Sequence, residues 1–450
     1  MNDVLVGIEC HVELNTKSKL FCGCSSKGEI PNSSCCPVCL GMPGSKPVLN
    51  EKALEYALKL CLAFGCKIDK ELIFSRKIYF YPDMSKNYQI TQYENPLGIA
   101  GEVEILGKKI RIRRIHMEED PAALIHEKNN VLVDYNRSGH ALCEIVTEPD
   151  MHSAEEARLF MRYLLTVLKY LQIYDVKEGI VKADLNVNIA GCSRVEIKNV
   201  SGFKDIQRAI EYEITRQKKL LNDGEPIVKQ ETRGWDGSKT NFQRYKEQED
   251  DYGYIFDTDL VPVETAKYLK GLKLPELPKE KKLKYVKQGL KLDDAEVIAD
   301  DYELAELYES IKVMDRLFLS KWIRREVPRV LNYTKKSLDE TFIANHLGKI
   351  INLILNKKIT ERVGQKLMEL LSEKDLDIEN YIKEHDLSSL ANENELIIVC
   401  KDAIKNNKQI IQQYKSGNEK SMNFLVGIVM KETRGRADPK RIREIIFSLI

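Results

Sequence analysis

The sequence lacks most of the marks by which a chain declares its chemistry. It has no run of 18 apolar residues and no apolar stretch behind the first methionine, so neither a membrane span nor a secretory leader is expected. The pattern GxxxxGK followed by Ser or Thr is missing, which excludes a P-loop for any nucleotide site. GxGxxG and GxSxG are missing too, and no Ser-His-Asp ordering or flanked nucleophilic cysteine stands in their place. An excess of either charge is also absent: 70 Lys and Arg face 69 Asp and Glu, for a net charge of +1. That balance argues against a uniformly basic nucleic-acid coat and leaves room for local basic patches. Disulfide-scaffold density is lacking as well. Eleven cysteines over 450 residues point to reduced thiols in a cytoplasmic setting, with clustered ones a candidate metal site.

What is there fits a soluble globular chain of about two or three domains, with 43% apolar and 31% charged residues. The run GIECHVEL at 7–14 alternates Glu9, His11 and Glu13 with Ile8, Cys10, Val12 and Leu14. In a strand, alternate residues share a face, so two carboxylates and an imidazole would line one side. Such a set can hold a divalent cation or shuttle protons, and the same alternation is that of a half-buried edge strand. Later segments repeat the character. His116, Glu118, Glu119 and Asp120 crowd a strand end as a ligand cluster or a solvated turn, and Glu144 lies between apolar Cys143 and Ile145. In GIVKADLNVNIAG, Asp184 alternates with Ala183 and Leu185. Four separated segments of this kind suggest one cradle facing a shared ion.

Cys22 and Cys24 in FCGC precede Cys35, Cys36 and Cys39 in CCPVCLG, so five cysteines fall within 18 residues. Paired cysteines at glycine or proline turns form the knuckles of a tetrahedral thiolate site; the CPVC spacing favours Cys36 over Cys35. Such a site is structural, because four thiolates leave no open position. Asn50 can cap a helix to residue 64, Ser153 and Glu156 suit a capping box before a second helix, and a third follows Gly202. Residues 75–98 interleave tyrosines such as Tyr79 and Tyr81 with Arg76, Lys77 and Lys86, which suits stacking and phosphate contact or half-buried strand aromatics. Residues 229–262 read as a long charged loop, with Arg233, Arg244 and Lys246 as phosphate clamps and Asp250, Asp251, Asp257 and Asp259 as ligands or solvated groups. Pro262, Pro275 and Pro278, with the lysine-rich KLPELPKEKKLK, mark a hinge, and beyond about residue 300 the pattern is helical only. Its last segment sets an apolar stripe beside basic residues from Lys431 onward, a candidate RNA-backbone contact or a solvated face.

Together the segments GIECHVELNTKSKLF, CPVCLGMPGSKPVLN, SRKIYFYPDMSKNYQITQY, RIHMEEDPA, DYNRSGHALCEIVTEPD, EIKNVSGF, AIEYEI, QETRGWD and FLVGIVMKETRG resemble the B-subunit family of the glutamine-dependent aspartyl/glutamyl-tRNA amidotransferases (GatB/GatE). They span nearly the whole chain in family order. The related archaeal E subunit carries a large inserted domain for which this chain has no room, so the resemblance is to the B branch. HMEEDPAAL departs from the more usual HMEEDAGK of the family, losing a glycine and a lysine.

The resemblance implies a ligase that phosphorylates the side-chain carboxylate of mischarged Asp-tRNA(Asn) or Glu-tRNA(Gln) with ATP and Mg²⁺, then amidates it. Ammonia would come through a channel from an amidase A subunit, and a small C subunit would wrap the pair. The fold it implies is α+β. A cradle-like catalytic domain over 1–275 would have a mostly antiparallel sheet, flanking helices and a zinc-knuckle insert near 22–39. A linker at 276–298, an all-α domain over 299–400 and a tRNA-binding tail over 401–450 would follow. Carried onto matching positions, catalysis falls to Glu9, His11, Glu144 and Asp184. Mg²⁺ falls to Glu9, His11, Glu118 or Glu119, and Glu144, and structural Zn²⁺ to Cys22, Cys24, Cys36 and Cys39. Substrate and ATP contacts are expected from Arg76, Lys77, Tyr79, Tyr81, Lys86, Arg137, Lys198 and Arg233. Lys431, Arg434, Arg436 and Lys440 are the expected tRNA contacts.

Overall fold

Alternation along Val4–Glu13 organises the first part of the molecule. Val6, Ile8, Cys10 and Val12 are buried on one side of this strand, and Glu9, His11 and Glu13 lie on the other. The strand is not at an edge. It is the fifth of nine in a sheet ordered Thr240–Tyr245, Glu231–Trp235, Val195–Val200, Val181–Ile189, Val4–Glu13, Ala141–Thr147, Lys108–Glu119, Gly98–Ile105 and Lys67–Ile68. All neighbours are antiparallel except Val195–Val200 beside Glu231–Trp235. The computed structural model describes every residue except 1–2, 176–180, 246–252, 390–392 and 419.

The apolar face of the sheet is covered by the helices Glu51–Ala63, Ala154–Leu171 and Phe203–Asn222, which close one continuous core. Asn50 caps the first helix by accepting from the backbone of Lys52 and Ala53. Ser153 caps the second, but Glu156 reaches back to the His152 amide (2.8 Å), one residue short of a true capping box.

Two compact units result, Met1–Pro278 and Lys279–Ile450. Among the described residues the second is built of helices from Pro278–Lys287 to Pro439–Leu449 and one short 3₁₀ turn, Leu338–Glu340. Two expectations change. Residues 229–262 are not a long loop: Glu231–Trp235, Thr240–Tyr245 and Gly253–Phe256 are strands within that stretch, while Lys246, Asp250 and Asp251 lie outside the described residues. The expected linker at 276–298 carries the helices Pro278–Lys287 and Leu292–Ala299. Tyr285 is fully buried there, and Lys281 is held by Glu306 (3.0 Å) and Glu309 (2.9 Å). Among the described residues no helix is long and apolar enough to cross a membrane.

Candidate functional site

Strand register turns separated sequence motifs into a grid on the uncovered face of the sheet. Lys182, His11, Glu144 and His116 stand directly across from one another on four adjacent strands. One step along, Asp184 faces Glu9; one step the other way, Glu118 lies across from Leu142. The side chains at 11, 116, 118 and 144 converge. His11 Nε2 lies 3.5 Å from both Glu118 and Glu144, and His116 Nε2 lies 3.6 Å and 3.2 Å from the same two carboxylates. Thr91 donates to Glu118 at 3.2 Å.

This box is electrostatically balanced. Burial works against the charge of each member, but opposite charges at this range outweigh it. Glu144 and Glu118 raise the His11 pKa to about 10 and that of His116 to about 9. The imidazoles in turn hold Glu144 and Glu118 below the usual carboxylate range. Glu9 behaves differently: burial, then the charge of Glu144, pushes it up to about 7. Two triads, Glu9–His11–Glu144 and His116–Glu118–Glu144, each offer donor atoms within 4.8 Å of one another and share Glu144. The carboxylate oxygens suit a hard divalent cation, whereas the imidazole nitrogens are softer donors better matched to transition metals.

Asp184 is aimed by a register shift between Ala183 and Leu185, where the ladder to Val195–Val200 is broken. Its carboxylate accepts from Lys198 Nζ (2.6 Å) and the Asn199 amide (2.8 Å), and Asn199 takes a left-handed φ of +57°. Burial opposes the charge on Lys198, while Asp184, Glu196 and Glu9 outweigh it and push its pKa up.

The grid floors a two-lobed cleft with cavities of about 1160 and 1140 Å³. Glu9, Lys77, Lys198, Thr232 and Arg244 line both lobes. Tyr79, Tyr81 and Arg137 line the first, where Arg137 is clamped on Asp120 by two hydrogen bonds of 2.5 and 2.8 Å. Other expected contacts are committed elsewhere. Glu119 turns from the box to Lys86 Nζ (2.5 Å) and the Ile90 amide (2.8 Å), so neither Glu119 nor Lys86 faces the cleft. Arg76 is bound by Asp257 and Asp259, both at 2.8 Å. Arg233 points into a buried network with Glu231 (2.8 Å) and Thr240 (3.0 Å) and lines neither lobe. In the second unit Lys431 and Arg434 line one pocket, and Arg436 is paired with Asp386 at 2.6 Å. Lys440 opens the last helix, where its amide donates to the capping carboxylate of Asp438 at 2.8 Å.

The cysteines Cys22, Cys24, Cys36 and Cys39 bring their sulfurs within 4.8 Å of one another, and none is in a disulfide. Cys35 instead points at Asn136 Oδ1, 3.8 Å away. The hydrogen bond from Cys22 leads several effects, Lys19 among them, that lower the Cys39 thiol, while the same hydrogen bond pushes Cys22 up and burial pushes Cys24 up to about 11, so the four sulfurs of the cluster share their protons unevenly. Lys19 is fully buried under it, donating to the Ser34 and Tyr135 carbonyls at 2.8 and 3.1 Å.

Comparison with known proteins gives this geometry a context. The model of the GatB/GatE catalytic domain matches residues 4–270, more than half of the chain. The chain belongs to the GatB/GatE family. A second match, to the GatB domain, covers residues 305–450. Relatives named as the B subunits of aspartyl/glutamyl-tRNA(Asn/Gln) amidotransferases align along their length. That of Methanoregula boonei is 39% identical, covering 100% of this chain and 98% of its own. That of Thermoanaerobacter sp. is 40% identical over 99% and 98%, and that of Persephonella marina 39% over 99% and 99%. In this GatB/GatE chain His116 joins the site although the family motifs did not assign it a role; its place two residues before Glu118 on one strand put it on the same face. Thr232, buried on Glu231–Trp235, and Gln243, which lines the first lobe from the exposed edge strand, carried no signal, since both stand in polar stretches with no alternating apolar residues.

Proposed function

We propose that this chain activates and amidates an acidic residue esterified to tRNA. It takes Asp-tRNA(Asn), Glu-tRNA(Gln) or both, phosphorylates the side-chain carboxylate with ATP, and lets ammonia displace the phosphate. An amidase partner supplies the ammonia from glutamine, a small third subunit completes the complex, and the assembly works in the cytoplasm. The relatives' shared name, which carries both tRNA types and the word subunit, supports substrate and complex alike.

The observation that carries this reading is the box of His11, His116, Glu118 and Glu144 on the floor of a cleft lined by Lys77, Lys198 and Arg244. A carboxylate does not accept ammonia until one of its oxygens becomes a leaving group. Mg²⁺ held by Glu118 and Glu144, with Glu9 beside them, would neutralise phosphoryl charge, and His11 and His116 could join as donors only by giving up the protons they carry in the ion-free box. Lys198 and Arg244 hold the phosphates, and Asp184 fixes Lys198 for that task. The proton leaving the attacking nitrogen passes to a cleft carboxylate, for which Glu9 lies beside Asp184 and Lys198. The four clustered cysteines fit a structural zinc ion that orders the loop around them.

The test is reconstitution of the chain with its amidase partner on mischarged tRNA. Amidated tRNA that forms with glutamine and ATP, and not without ATP, supports the reading. Amidation without ATP, or none from the complete mixture, contradicts it.

A further inference from the structure

The helix Glu51–Ala63 ends in a turn that sets two thiols side by side. The Cys66 amide donates to the Cys61 carbonyl at 2.9 Å and the Gly65 amide to the Leu62 carbonyl at 3.0 Å. Gly65 takes a left-handed φ of +66°. Such crossed bonds around a left-handed glycine make a Schellman turn, whose two outer side chains are brought into contact. Apolar groups usually make that contact. Here both places hold cysteine.

The neighbouring strand, Gly98–Ile105, leaves room for the pair. A Cβ at Gly98 would lie 2.7 Å from Cys61 Sγ and 3.0 Å from Cys66 Cβ, and one at Gly101 only 2.6 Å from Cys66 Sγ. The two side chains flank Gly98, and their thiols share a hydrogen bond. Cys61 is fully buried, while Cys66 is 8% exposed next to the edge strand Lys67–Ile68. The bond from Cys61, helped by the Gly101 amide, lowers the Cys66 thiol; burial pushes Cys61, Cys10 and Cys143 up. Among the described residues no third donor joins these two sulfurs, so they do not make a metal site like that of the four clustered cysteines.

A thiolate within reach of the surface and beside a second thiol has a defined reaction with a two-electron oxidant. The Cys66 thiolate attacks one oxygen of hydrogen peroxide, the O–O bond breaks, and hydroxide leaves and is protonated to water. Cys66 is then a sulfenic acid. The Cys61 sulfur attacks the Cys66 sulfur, the S–O bond breaks, and the Cys61 proton leaves with that hydroxide as a second water. Two thiols are oxidised to one disulfide, and one peroxide is reduced to two waters. We propose that Cys61 and Cys66 form a reversible dithiol–disulfide site for peroxide, with Cys66 attacking and Cys61 resolving. A dithiol reductant reopens it by exchange. Closure ties the end of the helix Glu51–Ala63 to the strand it leads into, within the core on the far side of the sheet from Glu9 and Glu144.

Peptide mapping of the full-length, zinc-loaded chain tests the proposal, because trypsin releases both residues in one peptide, 60–67. After brief exposure to hydrogen peroxide and alkylation in denaturant, that peptide should be lighter by two hydrogens and carry no alkyl group. Dithiothreitol should restore both alkylation sites. Cys61→Ala should leave Cys66 as a sulfenic acid that dimedone traps, and Cys66→Ser should leave Cys61 free for alkylation. Two alkyl groups on peptide 60–67 after peroxide, with oxidation confined to other cysteines, overturn the proposal. So do disulfides that join Cys61 or Cys66 only to a third cysteine. Dimedone on Cys61 in Cys66→Ser, and none on Cys66 in Cys61→Ala, would overturn the order of attack. Should either substitution prevent folding, the wild-type peptide decides by itself.

Discussion

At the scale of single residues, neighbours with the same chemistry have opposite fates. Glu118 and Glu119 are adjacent, so a strand must send them to opposite sides. Glu118 joins the histidine box, and Glu119 neutralises Lys86. His116 is as much part of the box as His11, although it is buried beneath Glu144. We therefore expect His116→Asn to weaken Mn²⁺ or Mg²⁺ binding at least about 10-fold, the scale seen when groups that orient metal ligands are removed. Glu119→Gln should leave metal affinity unchanged and lower stability by about 3 kcal/mol, because the buried Lys86 loses its counter-charge. Calorimetric titration and denaturant unfolding of the two variants separate these effects. Equal metal affinity in His116→Asn and wild type would remove His116 from the site.

At the scale of elements, the sequence was legible wherever one face of an element is buried. The central strand, the strands that carry Glu144 and Asp184, and the three helices behind the sheet all carry a period set by a core. Thr240–Tyr245 carries none, because it is the sheet's edge and only Thr240 is buried, so its polar letters read as loop. The helix Pro278–Lys287 was hidden for another reason. Its lysines look like a solvated linker, and burial of Lys281 depends on Glu306 and Glu309, which pattern along a single segment does not reveal. This contact has a pH signature. Burial opposes the charge of Glu309, but Lys281, Tyr285 and Lys284 outweigh it and lower its pKa in the folded chain. Its stabilisation is therefore present above the unfolded value of ~4.3 and lost as pH falls through the lower, folded value. Glu309→Gln should cost about 1.5 kcal/mol at pH 7, and the deficit should vanish well below pH ~4. A deficit that persists in acid would contradict the pairing. The cysteine loop makes a second element-scale prediction. Cys36→Ser should release zinc and loosen the loop, whereas Cys35→Ser should retain about one zinc per chain, as metal analysis of the purified variants would report.

At the scale of the whole molecule, the candidate metal-binding groups are gathered in one of the two units. Among the described residues, every group able to hold a metal lies in Met1–Pro278, whereas the pocket lined by Lys431 and Arg434 belongs to Lys279–Ile450. A net charge of +1 concealed that division, since the acids of the cleft cancel cations elsewhere in the total. Family resemblance pointed to acidic segments far apart in the chain, and the register of the sheet brings four side chains from three strands to one point. This box is proposed to support transfer of phosphate to the substrate carboxylate. The most direct measurement is transfer of label from γ-³²P-ATP by the assembled complex, with and without mischarged tRNA, for wild type and Glu144→Gln. Wild type should release phosphate in a tRNA-dependent way, and Glu144→Gln should lose at least about 100-fold of that release with complex assembly and tRNA affinity preserved. Wild-type phosphate release from Glu144→Gln would contradict it.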